Sequence, residues 1–193
     1  WIVQVEQPMI QYHDRLLNYS TQHFGYVNGN LPHDYLKITT DLSFKLQNVF
    51  DFSILKQAIE IHRPDVIILD NMYRVVNVYE PQQTVDFLSF LSCMQQEFEC
   101  AWILNHHPRK EHPNLQYRGE ADEMLGVSII SDWADTIIRV SHIDKRQDKD
   151  LINLSFEKTK NALEVVNDLS LKFNRKTLSF SSTSTKLVKK GEQ

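Results

Sequence analysis

The chain has 193 residues, 41% hydrophobic and 24% charged, with a formal net charge of -4. That length supports one domain with a sizeable core, so a second domain is an unnecessary assumption. The slightly acidic balance carries no global signature of a nucleic-acid binder, which leaves any such contact to local basic groups, and no apolar run approaches the roughly 18 residues of a membrane span.

Cys93 and Cys100 form neither a CxxC pair nor a dense framework, which fits a reduced, cytoplasmic compartment. Trp1-Ile2-Val3 offers neither a Met nor a basic leader and reads as the inside of a structural element. Trp1 to Val5 is β-prone and ends in Glu6, with Pro8 at the start of a helical turn. Met9 to Phe24 carries Ile10, Leu16, Leu17 and Phe24 among polar residues and stops at Gly25, the pattern of an amphipathic helix. Leu36-Lys37-Ile38 predicts a brief strand. Asp51 is placed to cap a second helix, with Ile54, Leu55, Ala58 and Ile59 at helical spacing and Pro64 beyond its end.

Val66-Ile67-Ile68-Leu69 is a continuous aliphatic run, predicting a parallel strand buried on both faces and closed by Asp70. Val85, Leu88, Leu91, Met94 and Phe98 mark another helix. Ala101-Trp102-Ile103-Leu104 predicts a further buried strand, ending in Asn105-His106-His107. Pro108 to Asp122 is a long polar stretch, the length at which loops are usually functional or mobile. Four strands follow, at Thr136–Val140, Leu151–Phe156, Leu169–Phe173 and Leu178–Phe180, predicting an antiparallel last third. The Ser-, Thr- and Lys-rich tail from Ser181 to Gln193 is expected to be flexible, leaving residues 1–180 as the core.

In a parallel α/β sheet, ligands sit beyond the carboxyl ends of the strands. Glu6, Asp70 and the pair His106-His107 all fall there. An acid at a strand tip also serves as a helix cap or a solvated group. Four aliphatics followed by Asp, however, are what a strand needs to hold Mg²⁺ at the rim of a rigid sheet, directly or through water. The histidines fit a polar sensor, ordinary rim residues, or less well a metal site, since no third ligand is suitably spaced.

In this order, WIVQVEQP, RPDVIILDNMYR, AWILNHHPRK, GVSIISDWADTIIRV and LSFEKTKNA resemble the RecA-like superfamily of P-loop ATPases, and within it the plasmid RepA-like and DnaB-like hexameric replicative helicase branch. The similar segments span residues 1 to 162. The resemblance implies a three-layer αβα core with a mainly parallel central sheet and C-terminal antiparallel strands. It also implies ATP and Mg²⁺ as cofactors, single-stranded DNA as a partner, and a ring homo-oligomer that moves on or unwinds DNA. An accessory or regulatory ATPase without helicase activity, or a non-hydrolysing scaffold, is the alternative.

By the same resemblance, Glu6 polarises the attacking water, Asp70 is the Walker B acid with Asn71 beside it at the nucleotide and metal, and His106 or His107 senses the γ-phosphate. Lys158-Thr159-Lys160-Asn161 is similar to the segment this branch projects into a neighbouring subunit's site. Lys160 stands where the family usually has Arg, giving a point charge in place of a planar fork, and Ala162 replaces the usual Gly. A solvated strand end is the plainer reading of those lysines. The Pro108–Asp122 stretch corresponds to the family's DNA-contacting loop, where Arg109, Lys110 and Arg118 could neutralise phosphates and Tyr117 could stack on a base. Glu111, Glu120 and Asp122 oppose that charge. Trp133 reads as a packing residue at a helix-to-strand junction.

No G-x-x-x-x-G-K-[ST] occurs. The loop either precedes Trp1 in a longer protein, which is the favoured expectation, or has been lost in a degenerate relative.

Overall fold

The computed structural model describes residues 1–24, 36–40, 43–107, 128–144 and 147–183. The chain divides into two compact units, one comprising Trp1–Leu17 with Tyr26–Trp133 and the other Asn18–Gly25 with Ala134–Gln193. In the first, β1 (Ile2–Gln4), β2 (Ile38–Thr40), β3 (Val66–Asp70) and β4 (Ala101–Leu104) form a parallel sheet in the order β2-β1-β3-β4. Helix α1 (Met9–Phe24) follows β1, α2 (Val49–His62) precedes β3, and α3 (Met72–Val75) and α4 (Pro81–Phe98) link β3 to β4. The class is α/β, as the alternation of helix and strand predicts.

The core is built from the inward face of the sheet and the helices against it. Ile67 and Leu69 of β3 are buried with Leu55 and Ile59 of α2 and Phe87, Leu88 and Leu91 of α4. Burying an aromatic or branched side chain of this kind contributes about 1.5–3 kcal/mol. The β3 run is not covered equally on both faces: Ile67 and Leu69 are buried, Ile68 is intermediate and Val66 is exposed. Side chains alternate across a strand, and only one set meets the helical layer. A continuous aliphatic run cannot show this, because both faces carry the same residue types. In β4, Ala101 and Ile103 likewise remain exposed.

Helix α2 begins before Asp51. Asn48 is its N-cap, accepting from the Phe50 and Asp51 amides, while Asp51 reaches back to the cap backbone in a capping box. The difference is one of position, since both oxygens act in a reciprocal pair. Helix α4 starts at Pro81, which suits a position whose N–H has no helical partner. Strand β2 pairs with β1 through Ile38, Thr39 and Thr40, two residues later than its apolar triplet suggests. Short α5 (Ser128–Trp133) ends at Trp133, whose indole N–H donates to Ser92 Oγ at 2.8 Å and whose ring packs on the core.

In the second unit, β5 (Thr136–Asp144), β6 (Asp148–Thr159), β7 (Leu169–Asn174) and β8 (Ser179–Ser182) form an antiparallel meander. Asp148 accepts from the Asp150 amide at 2.9 Å and pairs with Lys172 at 3.1 Å, which together hold its carboxyl below the ordinary carboxylate value. Cys93 and Cys100 are both free thiols, and burial raises Cys100 above the ordinary value. Among the described residues no helix is long and apolar enough to cross a membrane.

Candidate active site

Parallel pairing sets the site. Gln4 lies in register with Asp70, and the Val5 amide donates to the Asp70 carbonyl at 2.8 Å. The tips of β1 and β3 therefore exit side by side. Strand β4 extends the edge: the Asn105 amide donates to the Leu69 carbonyl at 3.0 Å, and its own carbonyl accepts the Met72 amide at 3.0 Å. Glu6, Asp70, Asn71 and His107 consequently leave three neighbouring strands at one edge.

Asn71 lies at the centre of this edge. It is buried at 1% exposure and caps α3, its Oδ1 accepting from the Arg74 amide at 3.1 Å. Its Nδ2 donates to Glu6 Oε2 at 2.8 Å and approaches His107 Nε2 at 3.0 Å. The His107 and Glu6 side chains stand 3.6 Å apart. Asp70, one residue before, accepts from Asn105 Nδ2 at 3.1 Å. The Asp70–Asn71 peptide is cis. A hydrogen bond to a carboxylate contributes about 1.5–3 kcal/mol, more than a neutral pair, so Glu6 is held in one orientation.

Residues that sequence reasoning passes over complete the edge. Gln4 is fully buried, and its Oε1 accepts from the Glu6 amide at 2.7 Å and the Gln7 amide at 2.8 Å. Its Nε2 is buried without a partner among the described residues. A lone amide in the apolar WIVQV strand was the available signal. Tyr12 of α1 lies near enough to Asp70 to feel its charge. Burial first, then Asp70, raises the phenol above its ordinary value, with Arg15 acting in the opposite sense. Arg15 in turn donates to Gln7 Oε1. Nothing in the sequence pattern links α1 to Asp70.

His106 belongs to the same strand exit as His107, which is the histidine brought to Glu6. Lys158 and Lys160 lie in the second unit, at the end of β6 and just beyond it. There Lys160 Nζ pairs with Asp135 Oδ1 at 3.4 Å, and the Lys160 amide donates to the Asp135 carbonyl at 2.8 Å. Arg109, Lys110, Tyr117 and Arg118 lie outside the described residues, as does the tail from residue 184.

The donor set suits a hard cation. Mg²⁺ is commonly bound through one or two carboxylates with waters and substrate phosphates, without an all-protein cage. Asp70 offers such an oxygen, and among the described residues no group of three or more His, Cys, Asp or Glu is placed to hold a metal by itself.

No family model matches the chain, and no curated protein matches it in sequence. The structure is similar to a solved ATPase domain, that of a DnaB-like helicase, with a TM-score of 0.67 and 14% identity, covering 95% of this chain and 74% of that one. The fold is RecA-like. At that identity the likeness establishes the fold alone.

Gln4→Met keeps the volume but deletes the acceptor for two amides beneath Glu6. Leaving buried donors unmet costs about 1–3 kcal/mol, so chemical denaturation should show a loss on that scale. Unchanged stability would mean that the Glu6 turn is held by something other than Gln4.

Proposed function

We propose that this chain is the body of a Mg-ATP-hydrolysing DNA motor of the replicative helicase type, working as a hexameric ring with sites shared between subunits. The observation that carries the reading is the meeting of Glu6, Asp70 and His107 at the carboxyl edge of a parallel sheet, around one buried amide. The RecA-like fold and its likeness to an ATPase domain support the same reaction class.

In this reading Glu6 orients the attacking water and accepts its proton, being a partly exposed carboxylate with one oxygen pinned by Asn71. Asp70 would hold Mg²⁺, directly or through water, and Asn105 orients that carboxylate from the neighbouring strand. The cation with its nucleotide would neutralise charge developing on the transferred phosphoryl group. His107 stands where a side chain can sense the terminal phosphate. Lys158 and Lys160 would supply positive charge to a neighbouring subunit's site. Arg109, Lys110, Tyr117 and Arg118 would contact single-stranded DNA by charge and stacking. The reading requires a phosphate-cradling loop, which in this account is contributed by sequence upstream of Trp1.

One observation favours a second reading, a RecA-like accessory ATPase that does not unwind DNA. Lys160 already has a partner in Asp135, and it is a lysine where a planar guanidinium would serve better. ATP turnover without strand displacement would support that alternative.

Asp70→Asn in the full-length protein should cut ATP turnover by about a hundredfold or more, the scale of losing a preorganised charge-stabilising group, while leaving circular dichroism unchanged. Retained turnover would remove Asp70 from the metal site and the motor reading with it. Lys160→Ala subunits should recover activity when mixed with Asp70→Asn subunits, which supply the lysine in trans. No recovery in the mixture would contradict a site shared across subunits.

A further inference from the structure

The most deeply buried polar group at the sheet edge, apart from Gln4 beneath it, is neither of the acids but the amide between Glu6 and the histidine. We infer that Asn71 is a positioning residue whose carboxamide sets the orientation of Glu6 and the tautomer of His107 together, so that neither can turn without releasing the other. The consequence for turnover rests on the ATPase reading; the consequence for His107 does not.

The direction of the amide follows from its surroundings. Asn71 Oδ1 is committed to the Arg74 amide at the start of α3, at 3.1 Å. That leaves the two hydrogens of Nδ2 for the opposite side, where Glu6 Oε2 lies at 2.8 Å and His107 Nε2 at 3.0 Å. Turning the amide over would set its carbonyl against a carboxylate and place an NH₂ against the Arg74 N–H. With Asn71 donating, Nε2 of His107 must accept through its lone pair, so the neutral ring carries its hydrogen on Nδ1. Burial of Asn71 at 1% exposure denies it water as a substitute partner, so a lost bond on one side is not made good by solvent. A bound phosphate that draws the His107 ring away would free one Nδ2 hydrogen and loosen the setting of Glu6. The three residues come from three strand ends, and the amide makes their movements interdependent.

The test uses Asn71→Asp and Asn71→Ser. Both retain an oxygen that can cap α3, and both remove the double donor. In the full-length protein without nucleotide, ¹⁵N spectroscopy of the histidine side chains should find the Nδ1–H form of neutral His107. Asn71→Asp should invert it to Nε2–H, because an acceptor now faces that nitrogen. An Nε2–H form in the unaltered protein, or no change on substitution, would overturn the inference. In turnover assays both variants should lower kcat about ten- to a hundredfold, the equivalent of one charge-assisted hydrogen bond, while affinity for a fluorescent nucleotide analogue stays within about twofold, well under one factor of ten in binding free energy. Full activity in both would overturn the positioning role provided that Asp70→Asn is inactive. If Asp70→Asn is equally active, the ATPase reading fails and the tautomer result alone decides the inference.

Discussion

Parallel pairing of β1 with β3 is the constraint on which the site depends. It puts Gln4 beside Asp70 and therefore brings Glu6 and Asn71, far apart in sequence, to one edge. Strand β4 in register with β3 then adds Asn105 and His107. The backbone ladder determines where these side chains start. The buried amides decide where they stop, Gln4 from beneath the Glu6 turn and Asn71 from its side. A carboxylate that must act on water has to remain partly exposed yet keep one orientation. Glu6, at 35% side-chain exposure with one oxygen bonded to a buried donor, satisfies both demands.

Much of the fold was legible because helix and strand periods differ. The Met9–Phe24 helix, the Ala101–Leu104 strand and the antiparallel order of the last third follow from apolar spacing alone. Coverage was not legible. Val66 to Leu69 reads as uniformly apolar, and only the packing of α2 and α4 decides that Ile67 and Leu69 are inside. The cap of α2 slipped for a related reason: Asn48 and Asp51 are both competent oxygens, and their reciprocal bonding depends on backbone geometry that composition does not carry.

The candidate acids were visible as polar residues ending apolar strands, a pattern local in sequence. What joins them was not. Asn71 could be singled out by its neighbour Asp70, but its bonds to Glu6 and His107 span 65 and 36 residues. Gln4 and Tyr12 sit inside elements whose patterns explain them as strand and helix positions, so nothing local marks their roles. Between the two histidines, strand alternation alone gives no preference. The bond to Asn71 brings His107 into the network. Lys160 is a different matter, since its partner Asp135 lies at the neighbouring strand start, and any role across a subunit boundary requires that pair to open.

The central claim is that Glu6 and Asp70 flank the reacting phosphate of a bound nucleotide. A structure of the full-length protein with Mg²⁺ and an ADP–beryllium fluoride complex tests it most directly. The account predicts Asp70 at the cation, the fluoride group facing Glu6 and His107, and Asn71 still bonded to Glu6. Nucleotide bound away from this sheet edge, or Glu6 turned out of reach of it, would contradict the account.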